Sequence, residues 1–209
     1  MPKHRGNCCP GHAAGTDRRG GRVTGYDEYF DYLMRRKRAA VWYRRVWLYP
    51  RICRNLSGTV LDIGCGIGDM VRYRRNTVGV DVNPHAVAFC REQGLKVQLM
   101  QLDHLPFEGC EFDGAVLDNV LEHLEHPEPL LAEVHRVLKA HSHFVVGVPG
   151  DRGFRSDADH KRHYPEAELA RTVQNAGFKL ARMFHQPFRS HLLDRHFRYY
   201  AIYGLFVRI

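Results

Sequence analysis

Residues 60–70, VLDIGCGIGDM, limit the fold of this chain more than any other stretch. An apolar run carrying Asp62 passes straight into Gly64, Gly66 and Gly68, and Asp69 then opens a helix-compatible segment. Glycines at alternate positions let a ligand approach the backbone closely, and a helix that starts there offers free N–H groups. A strand and turn of this kind need a sheet around them. Apolar runs at 59–63, 77–80, 96–101, 112–117 and 143–148 alternate with amphipathic stretches at 84–93, 128–138 and 165–176, and with a short one from Asp69. This alternation predicts an α/β fold, a mostly parallel sheet with helices on both faces. Runs at 179–184 and 199–208 follow with no long helix between them, and are expected as an antiparallel hairpin closing one edge of a seven-stranded, Rossmann-like sheet.

The charge around the loop selects its ligand. A dinucleotide site spaces its glycines G-x-G-x-x-G and seats a pyrophosphate on the helix N-terminus. Here the third glycine comes one position early, and Asp62 and Asp69 flank the place a diphosphate would take. Carboxylates there repel phosphate and favour a cationic head. No Gly-Lys-Ser/Thr follows, which excludes a Walker phosphate loop.

Further acidic residues stand after the later strands: Asp81 in VGVDVNP, Asp103 in QLDHLPF, and Asp118 in FDGAVLDNVLEHL. In that order the motifs resemble the class I S-adenosylmethionine-dependent methyltransferases, especially the branch called methyltransferase type 11, over about residues 56–185. The resemblance implies S-adenosylmethionine as cofactor and methyl transfer as the reaction, with no metal. It also implies that Asp62, Gly64, Cys65, Gly66 and Gly68 hold the methionine part of the cofactor. Asp81, with Val82 beside it, accepts the ribose hydroxyls, and Asp103 accepts the adenine amino group beside His104. Asp118 and Asn119 sit near the reactive end. Only 17 positions separate Gly64 from Asp81, so the first helix must be clipped.

Transfer to a hydroxyl needs an aligned acceptor and removal of its proton, for which histidine is suited. The chain has 14 histidines, so position must select among them. His160, in the polar segment after the fifth strand, is the preferred base or acceptor ligand, with His123 after the fourth strand next. His163 shares the first segment, Tyr164 is a candidate wall residue, and His126 before Pro127 reads as a turn residue. The N/D-P-P-Y/F/W tetrapeptide of base-directed enzymes is absent. Asp118-Asn119-Val120-Leu121 stands in its place.

Charge is uneven along the chain. Residues 1–54 hold 13 Lys/Arg and 4 Asp/Glu, net +9, whereas the remainder nets −1. A nearly neutral core disfavours a phosphate-tracking groove, so the expected acceptor is a small molecule, a saccharide or a lipid-linked glycan, and nucleic acid is disfavoured. Residues 1–24 read as a disordered basic tail, 25–55 as a helical segment packing on the domain, and 56–209 as the cofactor-binding domain. In 26–54, Tyr29, Leu33, Val41 and Trp42 are expected to pack inward, six basic residues from Arg35 to Arg45 to stay in water, and Pro50 to break the helix. A basic, aromatic helix also suits peripheral contact with an anionic membrane. Six scattered cysteines suit a reducing cytoplasm rather than a disulfide framework, and Cys8, Cys9 and His12 lack the paired motif of a metal site. A non-catalytic cofactor-binding module and a nucleic-acid methyltransferase using the basic N-terminus are the competing readings.

Overall fold

The computed structural model describes residues 25–36 and 38–209, so the expected basic tail, Cys8, Cys9, His12 and Lys37 lie outside the described residues. Seven strands form one sheet: β1 Val60–Ile63, β2 Thr77–Asp81, β3 Val97–Leu99, β4 Phe112–Asp118, β5 Leu138–Pro149, β6 Phe178–Gln186 and β7 Ala201–Arg208. Their spatial order is β3-β2-β1-β4-β5-β7-β6. The first five run parallel, while β7 lies antiparallel to both β5 and β6. The last two strands thus pair as expected, but β7 is inserted beside β5 and β6 forms the edge. Burial explains the order. Residues 202–206 of β7 are all buried, as a strand covered on both faces requires, whereas Lys179, Ala181 and Arg182 of β6 are exposed, which an edge tolerates.

Helices α1 Gly25–Met34, α2 Arg38–Tyr43 and α3 Tyr49–Cys53 precede the sheet. Within and after it come α4 Asp69–Tyr73, α5 Pro84–Glu92, α6 Glu128–Val137, α7 Asp151–Phe154, α8 Glu166–Asn175 and α9 His191–His196. The first helix after the glycine loop is clipped to five residues, as the short interval to Asp81 demands. Asn83 caps α5, accepting from the N–H groups of His85 and Ala86, with Pro84 in the first turn where its missing donor costs nothing.

The period of two along the strands divides the core. Leu61, Ala115, Leu117, Phe144 and Val146 face α6 and α8 with Leu131, Val134, Leu169 and Val173. Val60, Val116, Val145, Tyr203 and Leu205 face the other way, against Leu48, Tyr49, Ile52 and Leu56. The N-terminal segment therefore supplies the cover for one sheet face.

Pro50 does not break that segment. A π turn at Arg44–Leu48 precedes it, with Tyr49 N–H donating to the Arg44 carbonyl five residues back, and Pro50 falls in the first turn of α3. Helix register changes there, and the chain continues. The inward stripe also differs from expectation. Leu33 is buried, but Tyr29 on α1 is 44% exposed and Trp42 on α2 65%, and it is Tyr49 and Ile52 of α3 that pack against the sheet. We expect Ile52→Ala to lower the unfolding free energy by about 2–5 kcal/mol in denaturant titration, through the cavity it leaves. Trp42→Ala should change it by less than about 0.5 kcal/mol.

Candidate active site

Strand register builds the site. Ile63 stands opposite both Val80 and Leu117, so the chain leaves β1 at the level where Asp81 and Asp118 end their own strands. Gly64 and Cys65 N–H both donate to the Val80 carbonyl, at 2.8 and 3.0 Å, and Gly68 N–H closes a turn on Cys65 O at 3.0 Å. Gly64, Gly66 and Gly68 all have left-handed φ, at 71°, 53° and 74°. A Cβ on Gly64 would collide with Val120, and one on Gly68 would stand 2.6 Å from Leu95 Cδ1.

Four carboxylates converge on this loop. Asp81 Oδ2 accepts from Gly66 N–H at 2.7 Å and Oδ1 from Asn83 N–H at 2.8 Å, which fixes the carboxylate and leaves each oxygen a further lone pair. Burial raises the Asp81 carboxyl above its usual range, and these backbone donors oppose the rise. Asp118 Oδ1 accepts from Tyr203 OH at 2.7 Å and from Asn119 Nδ2 at 3.0 Å. Asp62 is 5% exposed, and burial pushes its carboxyl up to about 7, with Asp118 and Asp81 adding to the effect and Arg44 opposing it. Asp69, at the start of α4, is the fourth.

Two arginines expected in water neutralise this cluster. Arg36 Nη1 donates to Asp69 Oδ2 at 2.6 Å, and Arg44 Nη1 lies 3.5 Å from Asp118 Oδ2. Burial acts against the Arg44 charge, but Asp118, Tyr49 and Tyr203 outweigh it and hold the guanidinium protonated. Unpaired acidic charge at the strand ends draws these arginines inward, a long-range pairing that no local spacing announces. Helix α1 covers the loop. Leu33 Cδ1 lies 3.0 Å from where a Gly66 Cβ would stand, Asn83 Nδ2 donates to Tyr26 O at 2.8 Å, and Phe30 packs edge-on to Phe89. Although Tyr29 is 44% exposed as a residue, desolvation at its phenol and the Asp81 charge push that group up to about 12.

The remaining cofactor candidates are distributed as follows. Val82 is half-buried against the core beneath Asp81. The Cys65 thiol lies on the β2 side, where its Sγ would be 2.7 Å from a Cβ on Gly79, so the backbone of Cys65 shapes the loop. Asn119 has φ 57° and donates its N–H to Gly147 O at 2.9 Å, holding β4's end on β5. Asp103 is exposed in the turn after β3, and His104 Nδ1 lies 3.2 Å from a Glu133 oxygen on α6.

Beyond Asp118, the 3₁₀ turn Leu121–His123 meets the segment after β5. Lys161 and Arg162 N–H both donate to the Glu122 carbonyl, at 2.7 and 3.1 Å. His160 donates from Nδ1 to Phe154 O at 2.8 Å and stacks on the Phe154 ring, with the His123 ring 4.8 Å away, centroid to centroid. His163 packs on the other side of this group, 4.9 Å from Phe154. Burial pushes the Glu122 carboxyl up to about 8, with Asp118 and Asp157 contributing. Burial, then His160, lowers His123. His123 and His160, singled out in the sequence as separate candidates, are therefore brought together, but Tyr164 is a fully buried core residue rather than a wall of an open site. Sequence reasoning missed Glu122, Tyr203, Arg36 and Arg44. Of these, only Glu122 left a trace, as an acid inside the apolar run VLEHL.

A family model described as "Methyltransferase domain" matches residues 61–146, from the glycine loop through Asp81 and Asp118 into β5. Residues 61–146 thus carry a methyltransferase domain of the class I S-adenosylmethionine-dependent type. It is 30% identical over 172 residues to a Mycobacterium tuberculosis protein named "Probable S-adenosylmethionine-dependent methyltransferase Rv3030", covering 74% of this chain and 63% of that protein. A Mycolicibacterium smegmatis protein similarly named is 30% identical over 153 residues, covering 66% of this chain and 60% of that one. The chain thus spans less than two thirds of the length of these curated relatives. Among solved structures, an S-adenosylmethionine-dependent methyltransferase from Thermotoga maritima superposes with a TM-score of 0.67 at 18% identity, covering 86% of this chain and 98% of that one. The cofactor is S-adenosylmethionine, and the residues present fit it: a loop with glycine at alternate positions, a fixed carboxylate at Asp81, and more carboxylates than guanidinium groups where a diphosphate would otherwise be seated.

We expect Asp62 to make cofactor binding pH-dependent. The folded methyltransferase keeps this proton up to about pH 7, whereas an unfolded aspartate loses it near about 4. Stability linked to Asp62 is therefore full below about pH 4 and is lost as pH rises through about 7. A cationic ligand prefers the ionised form. Affinity for S-adenosylmethionine should rise by about tenfold per pH unit well below 7 and level off above it, as read by calorimetry. Asp62→Asn should flatten the profile. Arg44→Ala should move its midpoint upward, because it removes the charge that opposes the rise.

Proposed function

We propose that this methyltransferase transfers the methyl group of S-adenosylmethionine to an oxygen of a small molecule, a saccharide or a lipid-linked glycan. The observation that carries the reading is the convergence of Asp62, Asp81 and Asp118 on the glycine loop, next to the Glu122, His123 and His160 group. When bound, the cofactor supplies an electrophilic methyl on a sulfonium. Asp62 and Asp118 balance its cationic end, Asp81 accepts from its hydroxyls, and α1 keeps water from the loop. His123 and His160 lie on the acceptor side, beyond Asp118. The cofactor would supply the methyl group, with its sulfur keeping the electron pair of the bond that breaks, and Glu122, His123 and His160 would hold the acceptor hydroxyl and pass its proton to water. The products are a methyl ether, neutral S-adenosylhomocysteine and one proton. Calorimetric titration with S-adenosylmethionine and S-adenosylhomocysteine tests the first half. Asp81→Ala should weaken binding by at least tenfold, ~1.4 kcal/mol, and a folded chain that binds neither compound would sink the reading. Transfer of labelled methyl into hydroxylated acceptors, with nucleic acid as the competing substrate, tests the second.

The N-terminal segment favours a membrane-borne acceptor. Among the described residues, Tyr26, Tyr32, Met34, Trp42, Val46 and Trp47 are large apolar groups at least 40% exposed. Arg35, Arg38 and Arg45 are exposed beside them, and Arg51 stacks over Trp47, 3.4 Å from its centroid. Exposed tryptophans interleaved with arginine suit the interface of an anionic bilayer. No helix among the described residues is long and apolar enough to cross one. The chain should sediment with phosphatidylserine-containing vesicles more than with neutral ones. Trp42→Ser combined with Arg38→Ser and Arg45→Ser should reduce that partitioning about tenfold, while equal recovery of the native chain with both vesicle types would count against the contact.

A further inference from the structure

We propose that Glu122, His123 and His160 form a binding site for one divalent transition-metal cation, which presents an oxygen of the acceptor to the cofactor. The sequence pointed to metal-free chemistry, so this assignment rests on what the fold brings together. One ligand atom from each of the three residues lies within 4.8 Å of the others. Donors bonded to one cation at about 2.0–2.2 Å stand about 3–4 Å apart, so a contraction of about an ångström closes the set.

Glu122 gives the cluster its direction. It is 1% exposed, and neither carboxylate oxygen has a hydrogen-bond partner among the described residues. A carboxylate taken out of water needs donors or a cation. The basic group that approaches it is the His160 ring, with Nε2 3.9 Å from Glu122 Oε1, too far for a hydrogen bond and suited to a shared ion. His160 is also oriented as a metal ligand is. Its Nδ1 proton is spent on the Phe154 carbonyl at 2.8 Å, which leaves Nε2 as the lone-pair nitrogen facing Glu122. The backbone fixes both halves of the site, since the N–H groups of Lys161 and Arg162 are tied to the Glu122 carbonyl. Asp157 Oδ2 lies 3.9 Å from the same His160 nitrogen and is exposed, available as a fourth ligand from the solvent side.

Two imidazoles and one carboxylate select transition-type divalent cations over magnesium or calcium, and leave coordination positions open. The turn that carries Glu122 and His123 follows Asp118 and Asn119 directly, so those positions lie on the acceptor side of the cofactor loop. A hydroxyl-bearing acceptor is the class such a cation would take. This role for the cation rests on the methyl-transfer reading above, whereas the metal site itself does not.

The test uses the untagged full chain, freed of metal by chelator and titrated with Co²⁺, whose visible absorption reports its ligands. We expect one Co²⁺ per chain with a nitrogen and oxygen spectrum and no sulfur-to-cobalt charge transfer. Glu122→Gln and His160→Asn should each weaken it at least tenfold, while His126→Asn, at an exposed histidine outside the cluster, should leave it unchanged. Calorimetry with S-adenosylhomocysteine on every variant shows that the fold survives, and if Glu122→Gln does not fold, His160→Asn decides. Absence of saturable Co²⁺ binding, binding undiminished in both variants, or a thiolate spectrum would each overturn the site. Co²⁺ binding by a chain that does not bind S-adenosylhomocysteine would sustain the site and sink the methyl-transfer reading, and the reverse result would do the opposite.

Discussion

Four carboxylates held close together at the open ends of parallel strands are the constraint on which the rest of this molecule depends. Parallel pairing brings Asp81 and Asp118 to the level at which β1 ends, with Asp62 two residues below them, and the left-handed glycines fold the loop back over the group with Asp69 at its exit. Such a cluster cannot stand alone in a half-buried crevice, because like charges there raise one another's protonation and each loses its water. Three remedies are visible. Asp81 takes backbone N–H groups from Gly66 and Asn83, Asp118 takes the Tyr203 hydroxyl, and Asp62 stays protonated to about pH 7.

The fourth remedy shapes the N-terminal segment. Arg36 and Arg44 come from outside the Rossmann-like unit and carry the charges that the crevice lacks. Their anchoring explains why a short, exposed helix lies over the glycine loop. Leu33 packs on the loop while much of the aromatic face of the segment stays in water. The same residues that cover one sheet face through Leu48, Tyr49 and Ile52 thus also set the electrostatics of the site.

What was legible in the sequence follows from the range of the interaction. The five parallel strands, the clipped α4 and the Asn83-capped α5 are written in local patterns, and so is the order of acidic residues at strand ends. The place of β7 between β5 and β6 was not legible, because adjacency of two late strands in sequence does not say which of them meets β5. Only the burial of all five residues 202–206, against the exposure of Lys179, Ala181 and Arg182 in β6, separates centre from edge. Arg36 and Arg44 were hidden for a related reason. In a run of basic residues the two that turn inward are chosen by Asp69 and Asp118, 33 and 74 positions away.

Glu122 shows a different limit. In the text it is one acid in VLEHL, where its neighbours Leu121 and Leu124 mark the stretch as core and a charged residue reads as an outward-facing member of it. The 3₁₀ turn stacks Leu121 on Leu124 and turns Glu122 to another side, and Glu122 is buried there all the same because the segment that carries His160 packs over it. Burying an unpaired acid in a core weakens the fold unless something else is gained, and the nearest gain in reach is chemistry at the acceptor side of the loop. In the proposed metal site the two histidines selected by their place after strands four and five act as partners of this buried acid rather than as separate bases.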